Sequence, residues 1–431
     1  MTTRSLQRKI GLWGASFSGL GVIVGAGIYA LLGEATALAG GTVWISFLMA
    51  AGVAGLTAIS YIRLSRIVTK DSPEFQYVKL GLGFRAGFTA GWLTIWAQII
   101  STATVALGFG GYFQLLSGAP IITAALGLVI ILSLIVWFGI KESVFLVTLL
   151  SLVEIGGLVL VIILGIHHLG DNSLMEASTS GFSGVWSAAA LIFFAYVGFE
   201  QLGNLAEEMR SPEKDLPRAI AIAFLVSTVL YVLVSVSAVS LVGWRVLAAS
   251  QAPLADVVAG DLKHWSKLTL TLIALSATAN TVLLMLISVS RSFYGMAQAQ
   301  ALPRVFGLVG VRHTPWFSSL LVLIMVGFFV LIGKIALVAK IANLTILLAF
   351  ALVNLSLARM LKGKLKEKKT EFSFSDFWGI VHPILALLSC LFLAFKTGWL
   401  PITVGLFMIA TGYSIAKWRD VKTSRRQKDL Q

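Results

Sequence analysis

The chain has few of the charged residues that keep a protein soluble in water. Only 12% of its 431 residues are charged, 19 are acidic, and 58% are hydrophobic. A soluble domain carries about 25% charged residues, so this composition excludes an ordinary globular protein. The mean hydropathy of +0.91 instead indicates that lipid surrounds most of the chain.

Cysteine and histidine are also scarce. The single cysteine, Cys390, excludes an intrachain disulfide, and there are five histidines. The adjacent His167 and His168 point their rings in different directions from one backbone, so we expect no metal site there. The sequence has no nucleophile elbow, no clustered metal ligands and no soluble catalytic segment. We therefore expect no enzyme, no cofactor and no bound metal.

Apolar runs recur along the whole chain at the length that a membrane helix requires. About 20 residues cross the hydrocarbon, and these runs lack the alternation of barrel strands. The sequence therefore predicts an all-α integral membrane protein with about twelve transmembrane helices. The predicted spans are 11–33, 41–65, 86–115, 119–139, 143–166, 185–205, 217–243, 267–290, 315–339, 341–361, 378–396 and 398–417.

The basic residues are distributed as in a membrane protein and not as in a nucleic-acid-binding protein. A net charge of +14 would suggest nucleic acid in a soluble protein, but 27 of the 33 basic residues fall in segments on one side. Cytoplasmic loops of membrane proteins carry this excess, so both termini are predicted to be cytoplasmic, in a cell membrane. The outer stretch 251–265 is read either as a surface helix or as a loop. The other six basic residues are Arg245, Lys263, Lys267, Lys334, Lys340 and Lys396.

Two predicted spans contain glycine where a membrane helix normally avoids it. The first crowds Gly21, Gly25 and Gly27 together, and the sixth places Gly198 next to the carboxylate Glu200. Each glycine lowers the cost of leaving helical geometry. Spans one and six are therefore predicted to be discontinuous helices. Tight packing of small residues, for which Gly21 and Gly25 have the right spacing, explains the first set equally well.

The positions of these two spans suggest an inverted repeat. Transporters of that kind place broken helices at matching positions of their two halves, and spans one and six are five apart. A five-plus-five arrangement in a single polytopic domain follows, with repeat one at about 11–166, repeat two at about 185–361, and two appended helices at about 378–417. Half-helix N-termini suit a carboxylate and unwound carbonyls suit an ammonium group, and an amino acid has both.

Two carboxylates lie within predicted spans, Glu154 in the fifth and Glu200 in the sixth. An intramembrane carboxylate is costly and is usually functional, so both are predicted coupling residues that bind a proton or another cation. Glu154 is the first choice for the coupling residue. It could carry a proton, bind sodium or form a structural hydrogen bond between helices. Gln98 and Asn280 either reach the binding pocket or bond across helices.

At this point several strings together resemble the amino acid-polyamine-organocation superfamily, over the first ten spans. Gly25-Ala26-Gly27-Ile28-Tyr29 resembles the break in the family's first helix, and the string from Phe193 to Glu200 resembles the break in its sixth. The segment from Glu207 to Ile220 is the most specific match. The end of the eighth helix adds Ser290, Arg291, Met296, Leu302, Pro303, Thr314 and Pro315.

The resemblance implies a substrate held by main-chain groups at the two breaks, with Phe194 as an aromatic lid over it. Three positions depart from the family pattern. Arg63 stands where a glutamate is usual, 71–77 replaces a loop with paired glycines, and Glu154 stands where proton-coupled relatives often carry lysine. The implied substrate-binding residues are Val24, Gly25, Ala26, Gly27, Ile28, Phe194, Ala195, Tyr196, Val197 and Gly198.

The resulting prediction is a secondary active transporter that moves amino acids across the cell membrane by alternating access. Proton symport is the predicted coupling, with sodium as the other candidate ion. An amino acid exchanger, or a transporter of polyamines or other organic cations, is the alternative. The expected partners are an amino acid, the lipid bilayer and the coupling ion, and nucleic acid is not one.

Overall fold

The computed structural model describes residues 10–24, 27–68, 72–138, 144–259, 264–309, 315–367 and 374–428. These residues form α-helices and three short 3-10 helices, with isolated bridges at Ile10–Met209 and Gly40–Ala177 as their only strand-like pairing. The α-helices are α1 (Leu12–Val24), α2 (Gly27–Ala39), α3 (Val43–Ser65), α4 (Pro73–Leu82), α5 (Phe84–Ser117), α6 (Ile121–Phe138), α7 (Val144–Gly165), α8 (Gly181–Tyr196), α9 (Pro212–Val242), α10 (Trp244–Ala249), α11 (Pro253–Ala259), α12 (His264–Gln298), α13 (Trp316–Val330), α14 (Ile335–Glu367), α15 (Phe374–Phe395) and α16 (Trp399–Lys428).

Ten helical segments of the described chain are long and apolar enough to cross a membrane. Two shorter apolar helices, Ile121–Trp137 and Trp316–Val330, occupy the positions of the fourth and ninth predicted spans. The all-helical, multi-pass membrane architecture is therefore confirmed. The count of twelve spans and the inverted repeat stay predictions.

The connections contain more helix than the sequence pattern indicated. Residues 73–82, predicted as part of a loop, form α4, which begins at Pro73 and is followed by Gly83 with φ +87°. Proline suits the first turn of a helix, and glycine tolerates a positive φ after its end. The stretch at 251–265 begins with the short helix α11, and residues 260–263 lie outside the described part.

The outer surface of the bundle is apolar. Large side chains such as Phe328, Phe395, Trp399 and Phe407 are more than 60% exposed, which suits contact with lipid. Inside, side chains with hydrogen-bonding groups join the helices, as when Asn343 Nδ2 donates to the carbonyls of Ala190 (2.7 Å) and Leu191 (2.8 Å). Polar groups in lipid must find partners within the protein.

The helices of the two predicted breaks lie against each other. α2 packs along α8, α1 packs along α9, and α7 packs against both α1 and α9. This arrangement brings the end of α1, the start of α2 and the end of α8 to one place inside the bundle, and it positions the candidate site.

Candidate functional site

The predicted interruption of the sixth span is present. α8 ends at Tyr196, Val197 is extended, and Gly198 has φ +133°, a conformation that L side chains rarely adopt. A 3-10 helix, Phe199–Glu208, continues the segment. Glu200 Oε2 accepts a hydrogen bond of 2.7 Å from the Gly198 N–H. The carboxylate thus satisfies a main-chain donor that the interruption leaves without a helical partner.

The predicted break in the first span lies outside the described residues. α1 ends at Val24 and α2 begins at Gly27, and the intervening Gly25 and Ala26 lie outside the described residues. Val24 and Ile28 are completely buried. Gly27 lies so close to Ala195 that a Cβ at position 27 would overlap its backbone. The glycine therefore permits direct contact between the second half of the first span and the end of α8.

One hydroxyl joins the two segments. Tyr231, completely buried in α9, lies 2.5 Å from the carbonyl oxygen of Ile23 and 3.0 Å from that of Ala195. A phenol has one hydrogen to donate, so at any moment it bonds to only one of them. Main-chain acceptors from both predicted breaks therefore converge at one buried point.

Sequence reasoning missed Tyr231. A tyrosine in the apolar run of α9 is a weak signal, because an aromatic residue in a membrane helix usually serves packing. Its convergence on two carbonyls that are distant in sequence depends on the tertiary packing of α9 against α1 and α8.

Further tyrosines fix the surrounding helices. Tyr29 donates to the carbonyl of Glu154 (2.8 Å), and Tyr112 donates to the carbonyl of Tyr29 (2.9 Å). Tyr196 donates to the carbonyl of Phe47 (3.1 Å). These bonds tie α2 to α7 and α5, and the end of α8 to α3.

Glu154 is completely buried in α7, and its carbonyl accepts the hydrogen bond from Tyr29 of α2. Its Oε1 accepts a hydrogen bond of 3.2 Å from Asn280 Nδ2 on α12, and its Oε2 has no partner in the described structure. Asn280 therefore bonds across helices in this conformation. Glu154 is thus buried with one acceptor oxygen that has no partner among the described residues, which suits a carboxyl group that takes up a proton.

The other sequence candidates have separate surroundings. Phe194 is 3% exposed at the end of α8, and its role as a lid stays a prediction. Gln98 accepts a hydrogen bond from Ser292 (3.3 Å), which links α5 to α12. His168 contacts Asp171 (2.9 Å) at the surface. The described residues contain no group of three metal-binding side chains.

Comparison with known proteins gives the site its family context. The amino acid permease family model matches residues 14–416. The branched-chain amino acid permease BcaP of Bacillus subtilis is 29% identical, over 96% of this chain and 93% of its own length.

Two other relatives are named for different substrates. The methylthioribose transporter of Bacillus subtilis is 27% identical over 91% of this chain and 89% of its own length. The vacuolar cationic amino acid transporter 4 of Arabidopsis thaliana is 28% identical over 78% of this chain and 60% of its own length. The family match covers nearly the whole chain, including both segments of the candidate site, and the chain therefore belongs to the amino acid permease family of the amino acid-polyamine-organocation superfamily.

Proposed function

We propose that this membrane transporter moves amino acids across the cell membrane by alternating access, as a proton symporter with both termini in the cytoplasm. The observation that carries the proposal is the convergence of the Ile23 and Ala195 carbonyls on Tyr231. These two acceptors belong to the first and sixth spans, one in each proposed repeat. A carrier that closes around its substrate needs such a shared point, whereas a continuous pore does not.

The substrate's main-chain groups match what the breaks offer. Its ammonium group would bind the carbonyls of Ile23 and Ala195 in place of the Tyr231 hydroxyl. Its carboxylate would bind the N–H groups of Gly27 and Ile28 at the start of α2, where the helix dipole favours negative charge. Phe194 would close over the bound molecule. The extended Val197 and Gly198 would let the part of the sixth span after Gly198 move.

The side chain of the substrate is proposed to be aliphatic and uncharged. Val24, Ile28 and Ala195 are buried apolar residues at the site, and an apolar pocket favours an apolar ligand. The branched-chain permease similar to this chain is named for such substrates. A cationic side chain would need a carboxylate, and Glu154 is assigned to coupling.

Glu154 is proposed to carry the coupled proton. Its free Oε2 and complete burial favour the neutral form in the closed arrangement, and water that enters as one side opens favours ionisation. Tyr29 links the main chain of Glu154 to α2, so a change at the carboxyl group reaches the substrate segment directly.

Uptake into proteoliposomes tests this function. Labelled leucine, arginine and putrescine should be offered separately, with an imposed proton gradient, an imposed sodium gradient or neither. The proposal expects accumulation of leucine that requires the proton gradient and is absent in protein-free liposomes. Leucine uptake only against internal leucine would identify an exchanger, and preference for arginine or putrescine would favour the organic-cation alternative.

A further inference from the structure

A third buried carboxylate lies outside the candidate membrane spans. Glu74 is in the first turn of α4, between the second and third spans, and is only 4% exposed. Its Oε1 accepts a hydrogen bond of 3.0 Å from the hydroxyl of Tyr61 on α3. Glu74 belongs to the segment 71–77, which departs from the family pattern, and sequence reasoning gave it no role.

The segment that carries Glu200 packs against the same place. The ring of Phe199 meets Tyr61 edge-on, with centroids 5.4 Å apart, and a Cβ at Gly203 would be 3.0 Å from Pro73. Glu200 is 1% exposed, and its Oε1 has no partner in the described structure. The two carboxyl groups are close enough to interact electrostatically. Glu74 and Glu200, with Tyr61 beside them, are called the carboxyl pair below.

No basic side chain of the described residues forms an ion pair with the carboxyl pair. Arg63 on α3 donates instead to the Gly379 carbonyl, and Arg85 on α5 is paired with Asp420. The titratable groups that face the pair are the tyrosines Tyr61 and Tyr77. The other basic side chains that are described on the packed helices are exposed: Arg66 just after α3, Lys79 on α4, Lys214 and Arg218 on α9, and Arg359 and Lys362 on α14.

Two buried carboxylates without a cation cannot both stay ionised, because burial and mutual repulsion each oppose the second charge. Burial raises the pKa of Glu74 to about 7, although its own N–H and the Tyr61 hydroxyl favour the ionised form. A group that titrates there changes its charge within the ordinary cytoplasmic pH range.

We infer that Glu74 and Glu200 together retain one proton while α4 and the 3-10 helix Phe199–Glu208 are packed together, and release it to cytoplasmic water when these elements separate. Glu74 is thereby a positioning residue through which cytoplasmic pH sets the rate of opening on that side. The inference deepens the proposed function and rests on it, because the proposed orientation places α4 on the cytoplasmic side. The step moves one proton from a carboxyl oxygen to water, and no other bond changes.

The direction of the pH effect follows from the charges. At low pH the shared proton keeps the two elements together, and at high pH the two carboxylates repel and favour opening. Between about pH 6 and about pH 8, a group that titrates near 7 changes its ionised fraction by about tenfold. Exchange of labelled amino acid should therefore rise by up to that factor as the internal pH increases.

The test measures exchange in proteoliposomes of known orientation, with fixed external pH and varied internal pH. In Glu74→Gln, exchange should increase by less than about twofold over the same range of internal pH, because the titrating group is gone. Glu213→Gln, which changes an exposed carboxylate near the start of α9, should keep the wild-type profile. Tyr61→Phe should move the midpoint to higher pH, because it removes a donor that favours the ionised form.

A second readout does not depend on transport. Purified wild-type protein in detergent should show the infrared carbonyl band of a protonated carboxyl group at low pH and lose it around neutral pH, and Glu74→Gln should lack that component. A Glu74→Gln variant with the wild-type band and pH profile, or a flat wild-type profile, would overturn the inference. Absence of any amino acid exchange would refute the proposed function instead, and the infrared comparison would still decide the carboxyl pair.

Discussion

Glu154 and Glu200 are both buried carboxylates within candidate spans, but they are held in different ways. Glu154 is contacted by a side-chain amide from another helix, Asn280 on α12. Glu200 accepts a hydrogen bond from the main chain of its own span, at Gly198. The acceptor oxygen of Glu200 is thus part of the interruption, whereas the bonded oxygen of Glu154 accepts from a side chain of another helix. We therefore assign coupling to Glu154 and a structural role, with proton sharing, to Glu200.

The variant Glu154→Gln should have the largest effect. The amide keeps the shape and the contact with Asn280 but cannot exchange a proton. Accumulation of labelled leucine driven by a proton gradient should fall by about 100-fold, the loss of about 2.7 kcal/mol of driving free energy, while leucine exchange continues. Gradient-driven accumulation at the wild-type level in this variant would contradict the assignment.

Gly198→Ala should have the next largest effect on transport. An alanine at φ +133° is strained, and its Cβ would be 2.9 Å from Val22 Cγ1. Strain of about 1–3 kcal/mol should lower leucine uptake by about 5- to 150-fold. Gly127→Ala is the matched control, because a Cβ there meets nothing within 4 Å inside α6, and its uptake should equal that of the wild type. Equal uptake by the two variants would show that position 198 tolerates a side chain.

Tyr231→Phe should have a smaller effect on leucine exchange. Removal of the hydroxyl leaves the Ile23 and Ala195 carbonyls without this donor, which costs about 1 kcal/mol and should reduce leucine exchange by about 5-fold. Tyr294→Phe, a partly buried tyrosine of α12, serves as the control. Thermal unfolding in detergent separates a loss of exchange from a loss of folded protein.

Glu200→Gln should have the smallest effect on exchange at a fixed pH. The amide oxygen still accepts the Gly198 N–H, so the interruption survives and exchange at neutral pH should stay within about twofold of the wild type. Glu200→Ala leaves that N–H without its acceptor and should lower the unfolding temperature, since an unsatisfied buried donor costs about 1–3 kcal/mol. If Glu200→Gln instead lost gradient-driven accumulation and Glu154→Gln kept it, the two roles would have to be exchanged.

Local patterns in the sequence predicted the features that depend on few residues. Long apolar runs predicted the helices, and Gly198 beside Glu200 predicted the interruption of the sixth span, because glycine and an intramembrane carboxylate each disfavour a continuous helix. The two readings of Asn280 and Gln98 stayed open in the sequence, and the structure gives both residues bonds across helices.

The missed features depend on contacts between distant segments. Tyr231 gains its position from α9 packing against α1 and α8, and no pattern within α9 encodes that contact. Glu74 is polar and follows a proline, which reads as a loop, and only the packing of α4 against the bundle buries it. The local sequence does not show which polar residues the tertiary fold buries.

The central claim is that the first and sixth spans share one site for the substrate's ammonium group. An experimental structure with bound leucine tests it most directly. The account predicts that the leucine nitrogen lies within hydrogen-bond distance of the Ile23 and Ala195 carbonyls, with the Tyr231 hydroxyl displaced from at least one of them. Leucine bound elsewhere, or a continuous α-helix through Gly198, would contradict the account.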